Sequence, residues 1–200
     1  NNTIQTNGTR INYGIYLTSS ANNNTIANNT VRTQGSLDSN VGIQLSGTVS
    51  GNVVTGNMIQ TNGTDSNFGI VLFSSVNNNT ITNNTVRTQG ISSFNVGIYL
   101  TSTVSRNVVA GNNIQTNGTG NNFGIMLDTS ANNNTIANNT IQTNGTTSSN
   151  YGLYITSSAN NNTIANNTIR TQGASGLNHG IYLLDTVSGN AVTGNTIQTN

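Results

Sequence analysis

The chain repeats itself with a period of 27 or 28 residues, and this repeat sets the strongest limit on its fold. Each coil has aliphatic residues at five fixed positions. The coil length varies only in the turn between an N-G or Q-G dipeptide and the next N-x-G. We therefore expect one structural unit per coil, with insertions confined to one turn. Coils 1 to 8 begin at Asn2, Asn29, Asn57, Asn84, Asn112, Asn139, Asn167 and Asn195.

Three short segments of each coil, such as T-I-Q-T, G-I-Y-L and N-T-I-A, have the pattern of β-strands. A helical repeat would need apolar residues at spacings of three and four over ten or more positions, and the chain has no such run. The sequence predicts an all-β, right-handed parallel β-helix, a single solenoid over residues 1–200 with about seven coils and three short strands per coil. Each strand is expected to pair with its equivalent one coil later, so that Ile15, Ile43 and Ile70 are vertical neighbours.

Asparagine recurs at fixed positions, and stacking gives it a physical role. Stacked side-chain amides hydrogen-bond to the copies above and below, as in cross-β ladders. A third column alternates between asparagine and glycine (Asn28, Gly56, Asn83), which predicts a corner with positive φ. Gly14 and its equivalents mark another special backbone position. Two invariant columns predict such ladders: Asn12, Asn40, Asn67, Asn95, Asn122, Asn150, Asn178, and Asn24, Asn52, Asn79, Asn107, Asn134, Asn162, Asn190.

Charge and composition exclude several classes of function. The five basic residues are all arginine, the four acidic ones are all aspartate, and the chain has no cysteine. So little positive charge excludes nucleic-acid binding by counterion release. No apolar run is long enough to predict membrane insertion. The softer metal ligands, Met58, Met126 and His179, fall in three non-adjacent coils, so we expect no metal or cofactor.

Two strings carry a resemblance to a known family: "NNTIANNTVRTQG", followed later by "NVGIQL", and "NYGIYLTSSANNNTI". They resemble the parallel β-helix repeats of carbohydrate-binding and sugar-hydrolase domains and of NosD-like proteins. The resemblance covers the whole chain. It implies the β-helix fold and a secreted or cell-surface location, and its members include polysaccharide lyases, hydrolases, adhesins and fibres.

Charged residues give few candidates for catalysis. Arg10, Asp38 and Asp65 fall in the variable turns of coils 1, 2 and 3 and form the best polar constellation. Glycoside hydrolysis would require two such carboxyl groups about 5 to 9.5 Å apart, but a file of charges on exposed turns is more typical of weak surface ion pairs. Asp128 and Asp185 follow G-I-x-L strands and are expected to be solvated. The regular placement of Arg32, Arg87 and Arg170 in one column favours a surface or interface role.

Three surface features suggest contacts. Tyr16, Tyr99, Tyr154 and Tyr182 share an outward column with Gln44, Val71 and Met126, which could stack on sugar rings or on a neighbouring molecule. A flat Thr/Val/Ala face around Thr25 and Ala27 leaves an ice-binding role open. Thirteen N-x-T sequons occur, of which the turn sites Asn7, Asn62, Asn117 and Asn144 are the candidates for glycosylation.

These observations favour a non-enzymatic structural protein: an extracellular or cell-surface fibre, stalk or adhesin. The sequence starts and stops inside the repeat without a polar capping coil, so we expect a segment of a longer array or filament that self-associates end to end, laterally or both. Glycans are the other expected partner. The alternatives are a polysaccharide-binding or polysaccharide-degrading protein, and an ice-binding protein.

Overall fold

The computed structural model describes residues 1–37, 39–64, 66–91, 94–147, 149–174 and 176–200. Within these ranges the chain forms 22 β-strands and no helix. The strands in the first four coils are β1 (Thr3–Gly8), β2 (Asn12–Thr18), β3 (Thr25–Ala27), β4 (Thr30–Gly35), β5 (Asn40–Ser46), β6 (Val53–Thr55), β7 (Met58–Gly63), β8 (Asn67–Phe73), β9 (Thr80–Thr82), β10 (Thr85–Gly90), β11 (Phe94–Thr101) and β12 (Val108–Ala110). Those in the remaining coils are β13 (Asn113–Gly118), β14 (Asn121–Leu127), β15 (Thr135–Ala137), β16 (Thr140–Gly145), β17 (Asn150–Ile155), β18 (Thr163–Ala165), β19 (Thr168–Gly173), β20 (Asn178–Leu183), β21 (Ala191–Thr193) and β22 (Thr196–Thr199).

Every third strand belongs to the same sheet, which makes the fold a solenoid. Sheet A contains β1 and every third strand up to β22, sheet B runs from β2 to β20, and sheet C from β3 to β21. All pairings are parallel and join each strand to its equivalent one coil later. Ile15 pairs with Ile43, and Ile43 with Ile70, so the predicted all-β stack of about seven coils is confirmed.

The five aliphatic columns predicted from the repeat form one continuous core between the three sheets. In the middle coils these side chains are completely buried, as Ile98, Leu100 and Val109 illustrate. The core also contains a column that the aliphatic pattern did not include: the threonine that follows each sheet A aliphatic residue by two positions. Within the described residues, seven of these hydroxyls are buried without a hydrogen-bond partner: Thr6, Thr33, Thr61, Thr88, Thr116, Thr143 and Thr171.

Both predicted asparagine ladders are present. In the first, the Asn12 amide donates to Asn40 Oδ1 at 3.0 Å, and the bond recurs from coil to coil. In the second, Asn107 Nδ2 donates to Asn134 Oδ1 at 3.1 Å and to the Val76 carbonyl at 2.9 Å. A third ladder runs through the asparagines that begin each coil, where Asn57 Nδ2 donates to Asn84 Oδ1 at 3.0 Å.

Two kinds of backbone position fix the path of each coil. At the Asn/Gly corner between sheets C and A, φ is positive, as predicted: 57° at Asn28 and 65° at Gly56. The glycine column of sheet B is special for another reason. A Cβ atom on Gly97 would lie 2.6 Å from the Gly124 carbonyl oxygen and would overlap Ile114 Cγ2. Only a residue without a side chain lets successive coils approach this closely.

Candidate functional site

The outer surface of sheet B carries most of the aromatic residues, and we call it the aromatic face. It consists of two columns of residues. Within each strand, the residues of the two columns are three positions apart, whereas regular alternation would place them two positions apart. Tyr13 and Tyr16 both lie on this face, although Ile15 and Leu17 pack against the core. The pairing with the next coil runs from Tyr13↔Val41 directly to Ile15↔Ile43, so the strand's alternation changes at Gly14. This change brings residues three apart together on the outside.

The rings of the aromatic face stack on one another along the solenoid axis. Tyr151 lies 5.3 Å from Phe123 and 5.5 Å from Tyr182, measured between ring centroids, with nearly parallel planes. His179 joins the stack, 4.7 Å from Tyr182. Aromatic pairs in such geometries stabilise each other beyond the area that they bury. Val96, Phe123 and Met126 are buried in this layer, which forms a second apolar cluster outside the core.

The tyrosine column predicted from the sequence lies on this face, but its members differ in exposure. Tyr16 is exposed, whereas Val71 and Met126 of the same column are buried. The sequence interpretation missed the companion column, because strict alternation from Tyr16 would turn residue 13 inward. The missed residues are Tyr13, Val41, Phe68, Val96, Phe123, Tyr151 and His179.

A cleft of about 300 Å³ interrupts the aromatic face near coils 2 and 3. It lies where coil 2 has Val41 between Tyr13 and Phe68, and where the second column has Gln44 and Val71 instead of rings. Rings from both sides, including Tyr13, Phe68 and Tyr99, line its walls. The cleft therefore combines aromatic surfaces with one side-chain amide.

Two carboxylates lie along the edge of sheet B. The Tyr99 hydroxyl donates to Asp128 Oδ2 at 3.0 Å, and the Thr156 hydroxyl donates to Asp185 Oδ2 at 2.8 Å. The expectation that Asp128 and Asp185 are merely solvated is thus incomplete, because each holds a hydroxyl from the preceding coil. A carboxylate accepts about four hydrogen bonds, so each retains capacity for a further donor.

The outer surface of sheet A, here called the polar face, carries an exposed arginine column. This column contains one residue from each sheet A strand, all in register: Gln5, Arg32, Gln60, Arg87, Gln115, Gln142, Arg170 and Gln198. The three arginines are exposed. The structure thus places them on a flat surface of amides and hydroxyls.

The remaining sequence candidates belong to the variable turns and to the strand ends beside them. Asp38 and Asp65 lie outside the described residues, so the proposed constellation with Arg10 stays a prediction. Among the glycosylation candidates, Asn7 and Asn62 are exposed at the end of sheet A strands. Asn117 and Asn144 are half-buried, and Asn144 Nδ2 donates to Asn117 Oδ1 at 3.1 Å.

In the part of the chain that the structure describes, no three histidine, cysteine or acidic side chains lie close enough to hold a metal ion. The same residues contain no helix of the length and hydropathy needed to cross a membrane.

A family model described as a right-handed β-helix region matches residues 1–114 and 59–197. These two overlapping matches cover nearly the whole chain, and the three parallel sheets show the architecture directly. The chain therefore belongs to the right-handed β-helix family. No curated protein matches the chain significantly.

Tyr99 is expected to ionise at unusually high pH. Burial, followed by the nearby Asp128 carboxylate, raises its pKa from 10.0 to about 12. Because this pKa is higher in the folded state, the neutral phenol stabilises the fold below pH 10, and this contribution is lost as the pH rises from 10 to 12. Ultraviolet titration of the phenolate bands should show a step near pH 12 that disappears in Tyr99→Phe.

The matched control for this titration is Asp128→Asn. Removing the carboxylate should lower the Tyr99 pKa without restoring its ordinary value, because burial is the larger cause. A wild-type titration complete by pH 11 would contradict the described environment of Tyr99.

Proposed function

We propose that this chain is a structural, non-enzymatic β-helix protein of the cell exterior, and that its stacked coils form the shaft of a fibre or stalk. The observation that carries the proposal is the uninterrupted register. Strand pairing and the asparagine ladders continue from coil to coil along the described stack. A shaft requires this uniformity, since every coil must support its neighbours equally.

The distribution of polar groups supports a structural role. In the middle coils the ladder asparagines are buried and hydrogen-bonded to one another, so they serve stacking and are not presented to a substrate. Asp128 and Asp185 stand two coils apart, which corresponds to about 10 Å along the axis. That separation lies at the upper limit of the carboxyl spacing in glycoside hydrolases, about 5 to 9.5 Å, and each of the two carboxylates already accepts a hydroxyl from the preceding coil.

Burial between coils supports end-to-end stacking. In the middle coils the aliphatic columns, such as Ile98 and Val109, are completely buried because a coil lies on either side. Any open end of such a stack would expose these columns together with unpaired strand edges, and both favour the addition of another strand layer. End-to-end stacking, within one chain or between copies, is therefore part of the proposal.

An exterior location is part of the proposal. It is supported by the resemblance to secreted and surface-attached β-helix proteins. On such a surface we expect glycans at the exposed sequons Asn7 and Asn62 in preference to Asn117 and Asn144, whose amides bond to each other.

Electron microscopy of the native material tests the shaft directly. We expect uniform rods whose length is a multiple of the coil spacing, about 4.8 Å per coil. Assays on acidic and neutral polysaccharides, with and without calcium, provide the control for enzymatic activity. Discrete short particles, or turnover that is lost in Asp38→Ala and Asp65→Ala, would overturn the proposal.

A further inference from the structure

Five of the charged residues that the structure describes lie on two different surfaces according to their sign. Arg32, Arg87 and Arg170 lie on the polar face, while Asp128 and Asp185 lie along the aromatic face. Among the described residues these five side chains form no ion pair with one another. These five charges therefore remain available to a partner that carries the complementary surface.

The heights of these charges along the axis match when a second copy lies antiparallel. A parallel copy shifted by three coils would pair the same residue types, but only the antiparallel arrangement overlaps coils 1 to 8 of both copies. Two arginines, Arg32 and Arg87, stand two coils apart, in coils 2 and 4. The carboxylates Asp128 and Asp185 also stand two coils apart, in coils 5 and 7. If a second copy lies antiparallel with coil 2 facing coil 7, then coil 4 faces coil 5. Arg32 then faces Asp185, and Arg87 faces Asp128.

The same arrangement accounts for the third arginine. Arg170 belongs to coil 7, which faces coil 2 of the neighbour. Coil 2 is where Val41 and Gln44 open the cleft between the rings of Tyr13 and Phe68. A guanidinium group stacks favourably on aromatic faces and donates to amide oxygens. One antiparallel alignment thus gives every arginine of the column an acceptor.

We propose that the polar face of one copy docks on the aromatic face of a second, antiparallel copy of this chain. The proposal rests on the structural function above, since it specifies the lateral contact between shafts. Each copy presents both faces, so the contact is heterologous and repeats from copy to copy.

The surfaces are large and chemically suited to this contact. A seven-residue strand is about 23 Å long and seven strands span about 29 Å, so the flat area is about 650 Å² per copy. Stable interfaces bury about 800 Å² of accessible surface per partner. The accessible surface of protruding side chains is larger than the flat area beneath them, so a face of this size is large enough for a stable contact. The aromatic rings supply the apolar centre, and bidentate arginine–carboxylate pairs fix the register.

The chain itself provides substitutions that test this contact without disturbing the coil. Glutamine occupies the arginine column in other coils, so Arg32→Gln/Arg87→Gln/Arg170→Gln preserves the polar face. Threonine at 101 and serine at 157 occupy the equivalents of Asp128 and Asp185, so Asp128→Thr/Asp185→Ser is the complementary variant. Arg106→Asn is the matched control, because Asn78 and Asn133 adopt the same positive φ in neighbouring coils.

Sedimentation velocity of the full chain, at low and high salt, measures the association, and electron microscopy measures the width of the assemblies. We expect each multiple variant to weaken lateral association about tenfold or more, and Arg106→Asn to leave it unchanged. High salt should weaken the wild-type contact in the same way, because it screens the paired charges.

The outcomes separate this inference from the proposed function. Rods that persist while wide assemblies disappear in the variants support both. Wild-type rods that never associate laterally, or variants that associate as tightly as the wild type, overturn the inference and leave the shaft intact. If the aromatic face binds a glycan or an unrelated molecule instead of a second copy, the wild-type rods would not associate laterally. Absence of rods in every sample would overturn both.

Discussion

Asn107→Ala is expected to lower the free energy of unfolding by about 4 kcal/mol, because several buried hydrogen bonds end at one side chain. Asn107 Oδ1 accepts the backbone N–H of Asn79 at 2.9 Å and its side-chain amide at 3.1 Å. Its own amide donates to the Val76 carbonyl and to Asn134 Oδ1. Alanine removes all four bonds and leaves the Asn79 N–H buried without an acceptor. Denaturant unfolding followed by circular dichroism measures the loss.

The end of the same ladder provides the control. Asn24, in coil 1, is exposed, and its backbone N–H and its side-chain amide both donate to Asn52 Oδ1. Asn24→Ala should therefore lower the free energy of unfolding by less than about 1 kcal/mol, because water can hydrogen-bond to the exposed groups that the Asn24 amide contacts. Equal losses for the two variants would show that the ladder contributes nothing through burial.

Gly97→Ala is the second substitution with a large expected effect, a loss of about 3 kcal/mol from overpacking. The added Cβ would lie 2.6 Å from the Gly124 carbonyl oxygen, which belongs to the backbone of the next coil and cannot rotate away. The coils would have to separate locally, which also stretches the pairing of β11 with β14. Thermal unfolding and amide hydrogen exchange of β14 both report this change.

Gly47→Ser is the corresponding control. A Cβ at Gly47 would have its nearest neighbour 3.5 Å away, which is ordinary contact. Serine already adopts positive φ at the equivalent positions, 52° at Ser19 and 63° at Ser74. We expect little change in stability. A Gly97→Ala variant as stable as Gly47→Ser would mean that the close approach of the coils is not needed.

The periodic part of the fold could be predicted from the sequence because equivalent residues stack directly on one another. The Ile15 column appears in the core as expected, since parallel register places like over like. The Asn12 and Asn24 columns form ladders for the same reason. The Asn/Gly alternation at Asn28 and Gly56 could be interpreted because both residue types tolerate positive φ.

Local departures from alternation could not be predicted. Gly14 changes which side of the strand faces the core, and no residue pattern announces that Tyr13 and Tyr16 share a face. The third ladder, through Asn57 and Asn84, could not be told apart from the sequence alone, because many asparagine columns recur at the same period and the pattern does not show which of them turn inward. The buried Thr33 column was missed because threonine beside a polar residue is more typical of a solvated surface.

The candidate site could be predicted only in part, for a related reason. The column of Tyr16 was visible, and so was the regular placement of Arg32. The relation between the two surfaces depends on how the sheets are arranged around the core, which no single column encodes. The hydroxyl partners of Asp128 and Asp185 depend on the exact turn that follows each sheet B strand.

The stacking of near-identical coils has a mechanical consequence. A coil in the middle of the stack is held by the ladders and strand pairs on both sides, whereas an outermost coil is held on one side only. Under tension the rod would yield from its ends, one coil at a time, and each release would free about 9 nm of chain. Such a shaft would lengthen in equal steps and dissipate energy at each step, while the coils that have not unfolded stay stacked.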